Sequence, residues 1–246
     1  MRASGILLPV FSIPSKYGIG AFSKEAYEFV DFLEKAGQSL WQILPLGPTG
    51  YGDSPYQSFS TFAGNPYYID LEEFITKGYL TKEECDNSDL GDGEFVDYEK
   101  IFHAKFKLLK KAFLKSNLEE NRDYQEFIEK NEGWLDDYAL FMALKDSFGG
   151  ISWIEWDNDI KLRKKSVLAK YRKELAQEIA FYKFQQYYFA KQWKELKGYA
   201  NDKGIEIVGD IPIYVALDSA DTWANPQLFQ VDEECIPTAV VGCPPD

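Results

Sequence analysis

Histidine is nearly absent. One residue, His103, stands in a chain of 246. No metal centre built from several histidines is possible, and a Ser-His-Asp triad has almost nothing to draw on. His103 reads as one residue on the face of an amphipathic helix. Cysteine is scarce and odd in number: Cys85, Cys235 and Cys243 follow no metal or redox spacing. They read as free thiols of a reducing compartment, the cytoplasm. Basic residues are too few to balance the acids, 27 Lys and Arg against 40 Asp and Glu, for a net charge of −13. That argues against nucleic acid or an anionic membrane as partner, since both need a basic face. The one basic block, 161–173, reads as a solvated helix start or loop. No window reaches the ~18 apolar residues of a membrane span. The first apolar run is interrupted at Pro9 with no cleavage pattern after it, so it reads as a first strand and not as a signal peptide. The acid-rich run 86–94 lacks the alternation of a calcium loop, and no cofactor or metal site is expected.

What is present is a globular composition, 45% hydrophobic and 27% charged, and one unusual stretch. Residues 40–71 read LWQILPLGPTGYGDSPYQSFSTFAGNPYYIDL. A short apolar run breaks at Pro45, as a buried strand feeding a loop does. Loops are usually polar, yet this one carries Tyr51, Tyr56, Phe59, Phe62, Tyr67 and Tyr68. Rings on a Gly/Pro-braced loop give rigid apolar faces with polar tips. A sugar needs that combination: its C–H face packs on a ring, and its hydroxyls meet acceptors such as Asp53 and donors such as Ser54. The same rings could instead fold inward as a satellite core. Asp53, in Gly-Asp-Ser-Pro, reads as a turn former.

In chain order, 5–11 is a first strand, apolar throughout as in a parallel sheet. A helix follows, with Ser23 at its N-cap, Ala26, Phe29, Val30 and Leu33 on one face, and Gly37 closing it. Residues 39–46 are the second strand, completing a βαβ unit and implying a parallel sheet. From Leu71 to about Asn201 only helices are expected. One has Asp97 near its start and Phe102, Phe106, Leu109 and Phe113 on a face. Another carries Trp134, Tyr138, Phe141 and Met142 and stops at Gly149-Gly150. A third runs from Leu175 to about Ala200, buried on two sides and ending at Gly204. The third strand is 205–215, IEIVGDIPIYV, with Asp210 inside it. A carboxylate there needs a partner or a place at the strand's mouth. Asp218, Ser219 and Asp221 open a short helix containing Trp223, and 228–241 reads as a small hairpin. Glu155 and Asp157, two apart, read as surface residues.

PLGPTGYGDSPYQSFS followed by AGNPY, with GILLPVFSIPSKYGIG, WLDDYALFMALK, GDIPIYVALDSADTW and PTAVVGCPPD, resembles the amylomaltases, the 4-α-glucanotransferases of the α-amylase clan. The resemblance runs the whole chain but reaches only the N-terminal half of a family chain. It implies an α/β fold, the N-terminal part of a (β/α)8 TIM barrel, across 1–246, with a helical insertion subdomain at 72–170 after the second strand. Three strand units cannot close such a barrel.

The implied chemistry is retaining transfer of α-1,4-glucan between maltooligosaccharides. One carboxylate attacks the anomeric carbon while a second serves as acid and base. The family's nucleophilic Asp sits in an Arg-x-Asp-His motif, which this sequence lacks. The catalytic carboxylates are therefore expected beyond Asp246, and this chain alone is expected to be inactive. Carried over are substrate contacts at Ser54, Tyr56, Asp210 and Asp246, and a secondary glucan surface at Tyr51 and Phe102. Phe102 stands where the family has an aromatic with a hydroxyl. The expected partners are maltooligosaccharides and other α-1,4-glucans, with no nucleic acid and no membrane, and for protein contact the missing C-terminal half or self-association. A glucan-binding module without catalysis is the competing reading.

Overall fold

A computed structural model describes residues 2–50, 52–91 and 95–239. Three strands, β1 (Gly5–Leu7), β2 (Leu40–Gln42) and β3 (Glu206–Val208), form one parallel sheet in the order β1-β2-β3. Gly5 pairs with Leu40 and Leu40 with Glu206, so the strands stop level with one another at Leu7, Gln42 and Val208. Each apolar run in the sequence is longer than its strand. Pro9 and Pro45, just past β1 and β2, lack the N–H that would extend the ladder. After β1 the chain turns into a 3-10 helix at Val10–Ser12. Asp210 therefore lies outside β3, two residues past its end, and not within it as the sequence pattern suggests.

The helices are α1 (Lys24–Lys35), α2 (Glu72–Thr76), α3 (Lys82–Asp86), α4 (Tyr98–Lys115), α5 (Arg122–Ser147), α6 (Asn158–Lys161), α7 (Lys165–Glu174), α8 (Ala176–Asp202) and α9 (Ala220–Ala224). No strand lies between 71 and 201 among the described residues. Helix α1 has Ser23 at its N-cap, and Gly37 and Gly204 take positive φ just past α1 and α8, where a side chain would be strained. Helix α5 starts at Arg122, a dozen residues before the aromatic pattern that signals it.

By contact the chain falls into two compact units: 1–46, 64–125 and 184–211 form one, and 47–63, 126–183 and 212–246 the other. The sheet belongs to the first. Its core includes Trp41 and Phe74, with Phe74 against Tyr188 at 4.6 Å and against Phe184 at 5.6 Å between ring centroids. Residues 184–189 of α8 are all buried, so the middle of this helix is enclosed, while its ends carry exposed residues. Three glutamines of α8, Gln185, Gln186 and Gln192, are buried with those rings. Gln186 donates from Nε2 to the Gly64 carbonyl (2.9 Å) and accepts at Oε1 from the Gly64 N–H (2.7 Å). Gln192 makes the same pair of bonds with Asp70, at 3.2 and 2.8 Å.

The buried face of α4 is Ile101, Lys105, Leu108, Leu109 and Ala112, one residue round from the expected aromatic stripe. Phe102 is 49% exposed and His103 is exposed. Lys105 is the one charged residue on this buried face. It is buried, and its Nζ donates to the Tyr67 carbonyl at 2.5 Å. Burial pulls its pKa down to about 8, against the opposing pull of Asp70.

The second unit has its own aromatic core. Trp156 lies 5.4 Å from Phe141 and 5.7 Å from Trp223. The Arg163 guanidinium sits 4.3 Å above the Trp223 ring and donates to Asp137 at 2.7 Å. The hairpin expected at 228–241 is present in its described part: Val231 and Pro237 form an antiparallel bridge, flanked by hydrogen bonds from Thr238 N–H to the Gln230 carbonyl and from Asp232 N–H to the Ile236 carbonyl, each 2.9 Å. Cys85 and Cys235 are buried free thiols; Cys243 lies outside the described residues.

Candidate functional site

The loop that follows β2 is a folded object in its own right. Thr49 and Ser58 form an antiparallel bridge. Gly50 N–H donates to the Gln57 carbonyl (3.0 Å) and Phe59 N–H to that of Pro48 (3.3 Å). At the tip, Asp53 takes a left-handed φ of 55° and donates its N–H to the Gly50 carbonyl at 3.2 Å. This is the turn role expected of it. Burial raises its pKa. A second turn carries the two nominated contacts. Gln57 N–H donates to the Ser54 carbonyl at 3.1 Å, and the Ser54 hydroxyl accepts from Tyr56 N–H at 3.3 Å. The Tyr56 side chain is 45% exposed. Tyr56 thus stands half in water on a hydrogen-bonded turn, whereas Tyr67 and Tyr68, a few residues on, are buried as core.

The base of the loop is fastened within its own unit. Ser60 is buried, and its hydroxyl accepts from the N–H groups of Phe62 (3.1 Å) and Ala63 (3.2 Å). The Asp221 carboxylate accepts from Thr61 twice, from N–H at 2.8 Å and from the hydroxyl at 3.0 Å. Ala220 N–H donates to the Phe59 carbonyl at 2.8 Å. Lys145 Nζ lies 5.0 Å over the Phe59 ring and donates to Asp218 at 2.6 Å and to the Ile151 carbonyl at 3.1 Å. Asp218 also accepts from Trp153 N–H at 3.3 Å. Phe62 is 64% exposed, and its ring stacks on Trp134 at 6.1 Å and 22°.

The structure brings Ser54 and Tyr56 together on one turn. Asp210 belongs to the other unit, just past β3, where its Oδ1 accepts from Ile211 N–H at 2.8 Å. At a strand's mouth a carboxylate keeps its hydration, which removes the burial cost a mid-strand position would carry. Phe102 also belongs to that unit, its ring 5.2 Å from those of His103 and Phe106. Tyr51 and Asp246 lie outside the described residues. Among the described residues no group of three Cys, His, Asp or Glu side chains suits a metal ion, and no helix is long and apolar enough to cross a membrane.

Sequence reasoning missed Thr61, Lys145, Asp218 and Asp221 as parts of this site. The motif Asp218-Ser219-Ala220-Asp221 reads locally as a helix opener. The signal was one carboxylate more than a short helix start requires.

Comparison with known proteins shows the family. Residues 8–246 match the family model Glyco_hydro_77, 4-alpha-glucanotransferase. A 4-alpha-glucanotransferase of Clostridium butyricum is 54% identical over 239 residues, covering 96% of this chain and 49% of that protein. One of Thermus thermophilus is 47% identical, covering 100% of this chain and 49% of that protein. Among solved structures, the amylomaltase from Streptococcus agalactiae in complex with acarbose superposes with a TM-score of 0.95 at 46% identity. It is covered to 50% by the whole of this chain. The chain thus spans about half the length of the relatives it matches. It belongs to the 4-alpha-glucanotransferase family.

Proposed function

We propose that this chain supplies glucan-binding surface to a 4-α-glucanotransferase that moves α-1,4-glucan segments between maltooligosaccharides by a retaining double displacement. The observation that carries the reading is the half-exposed Tyr56 ring on a hydrogen-bonded turn, in a chain matched by the family model over 8–246. In this reading Ser54, Tyr56, Asp210 and Asp246 touch substrate, and Tyr51 and Phe102 form a secondary glucan contact. The three strands open a (β/α)8 barrel, and 72–170 is its helical insertion. The nucleophile and the acid/base carboxylate belong to the half of the relatives that this chain does not span. The work is done in the cytoplasm, without cofactor. The acarbose complex of the Streptococcus agalactiae amylomaltase supports an oligosaccharide ligand.

The ring of Tyr56 takes the apolar face of a sugar and keeps water from it, which a transferase needs while the glycosyl group awaits its acceptor. Asp210 accepts from sugar hydroxyls, and its charge strengthens those bonds. Two measurements test this. The purified 246-residue chain should bind maltotetraose yet form no glucose or longer oligomers from maltotriose; turnover by the chain alone would refute the division of labour. In a protein of the relatives' full length, Asp210→Asn should lower turnover about ten- to a hundredfold, the worth of a charge-assisted bond strengthened in the transition state. Full turnover with a lower melting temperature would make Asp210 a structural acid.

A further inference from the structure

We infer that Asp221, 160 residues past Thr61, is a positioning residue for the glucan loop, holding Tyr56 in its binding conformation. The inference rests on the reading of Tyr56 as a glucan contact and adds the group that orders it.

The loop's internal bonds make only a two-stranded hairpin, which is marginal alone in water. Within the tip, Gln57 N–H donates to the Ser54 carbonyl and Tyr56 N–H to the Ser54 hydroxyl. At the base, three hydrogen bonds tie the loop to the first turn of α9. Ala220 N–H takes the Phe59 carbonyl, and the Asp221 carboxylate takes both donors of Thr61. A carboxylate in a helix's first turn is usually well placed near its own helix's N–H groups. That need is met here by Ser219, whose hydroxyl accepts from Thr222 N–H at 3.3 Å. Both oxygens of Asp221 are thereby left for Thr61. Two charge-assisted bonds on one residue fix the direction of its backbone as well as its position.

Both partners are reached by solvent, so the contribution to overall stability is small. The effect on binding is larger in proportion. If the loop populates its binding conformation only a fraction of the time, apparent affinity falls by that fraction. A loop competent about a fifth of the time binds about fivefold more weakly.

The experiment is titration of the full chain with maltoheptaose, for wild type, Asp221→Ala, Asp221→Asn, Tyr56→Ala and the double variant Tyr56→Ala/Asp221→Ala. Melting temperature and amide hydrogen exchange across 57–61 are followed in parallel. Asp221→Ala should weaken binding about fivefold, speed exchange at Thr61, and leave the melting temperature within about 2 °C. Asp221→Asn keeps one accepting oxygen and should fall between. The deciding value is the double variant. A residue that acts through Tyr56 has nothing further to lose once the ring is gone, so the double variant should bind like Tyr56→Ala alone. Additive losses, or wild-type affinity in Asp221→Ala, overturn the inference. Absence of any maltoheptaose binding by wild type refutes the glucan reading instead. The anchoring claim is then decided by exchange alone, and unchanged exchange at Thr61 overturns it.

Discussion

Two stretches follow parallel strands of the same sheet, and both are rich in apolar residues. After β2, nearly every turn of 47–70 has its backbone polar groups taken up by a side chain: Ser54, Ser60, Asn65, Asp221, Gln186 and Gln192 each accept from an N–H. After β3, Ile211 and Ile213 are 80% and 89% exposed, and Tyr214 is 52% exposed. Composition does not separate the two. Among the described residues, several polar side chains receive the backbone of the first stretch, and Asp210 accepts from Ile211 N–H in the second. A loop with its N–H and C=O groups satisfied can order its rings. Past β3, the side chains of Ile211 and Ile213 stand in water among the described residues.

The strongest way to break this contrast is to disturb the ordered stretch where it packs most tightly. A Cβ added at Gly64 would sit 2.1 Å from the Phe189 ring, and that ring also packs on Phe22 at 5.2 Å. Gly64→Ala should cost about 2–3 kcal/mol as overpacking, read as a fall of about 5–10 °C in melting temperature. A neutral result would mean that the loop's second anchor is softer than the ring packing implies.

A smaller effect comes from Asp70, whose backbone Gln192 holds. Burial raises its pKa from 3.8 to about 6. The folded state therefore favours the protonated acid, and the stability this contributes is present below about pH 4 and lost as pH rises toward 6. Asp70→Asn should remove that slope and melt higher than wild type at pH 7, while the two converge near pH 4. Parallel melting curves across this range would place Asp70 in a wetter setting.

The smallest effect is expected where the contrast predicts no packing. Ile211→Ser with Ile213→Ser should change stability by no more than about 0.5 kcal/mol, while reducing any self-association seen by light scattering. A drop of several degrees would show that this end is covered in solution.

Local signals carried the elements that local chemistry decides. Ser23 and Gly37 bracket α1, Asp97 caps α4 by accepting from Lys100 N–H, and Gly204 ends α8. They failed where a distant group settles the matter. Lys105 looks solvent-facing in sequence, and only the Tyr67 carbonyl 38 residues away explains its burial. That lysine stands on the buried face of α4, and Phe102 lies outside it. The turn that leaves the Tyr56 ring half exposed was legible from its loop, because Gly, Pro and Ser announce a turn. The fastening of that turn was not, because neither Thr61 nor Asp221 carries any mark of the other.

The paired bonds of Gln186 and Gln192 have a consequence for how this family can vary. Each primary amide engages both the N–H and the C=O of one residue, as an adjacent strand would. The span from Gly64 to Asp70 is thus measured against α8 like cloth against a ruler, with marks six residues apart on each. Surface loops usually accept a residue gained or lost. Here one insertion between the marks would unseat an amide in a dry interior, where an unmet polar group is costly. Variation in length should be confined to the chain on either side of the ruler.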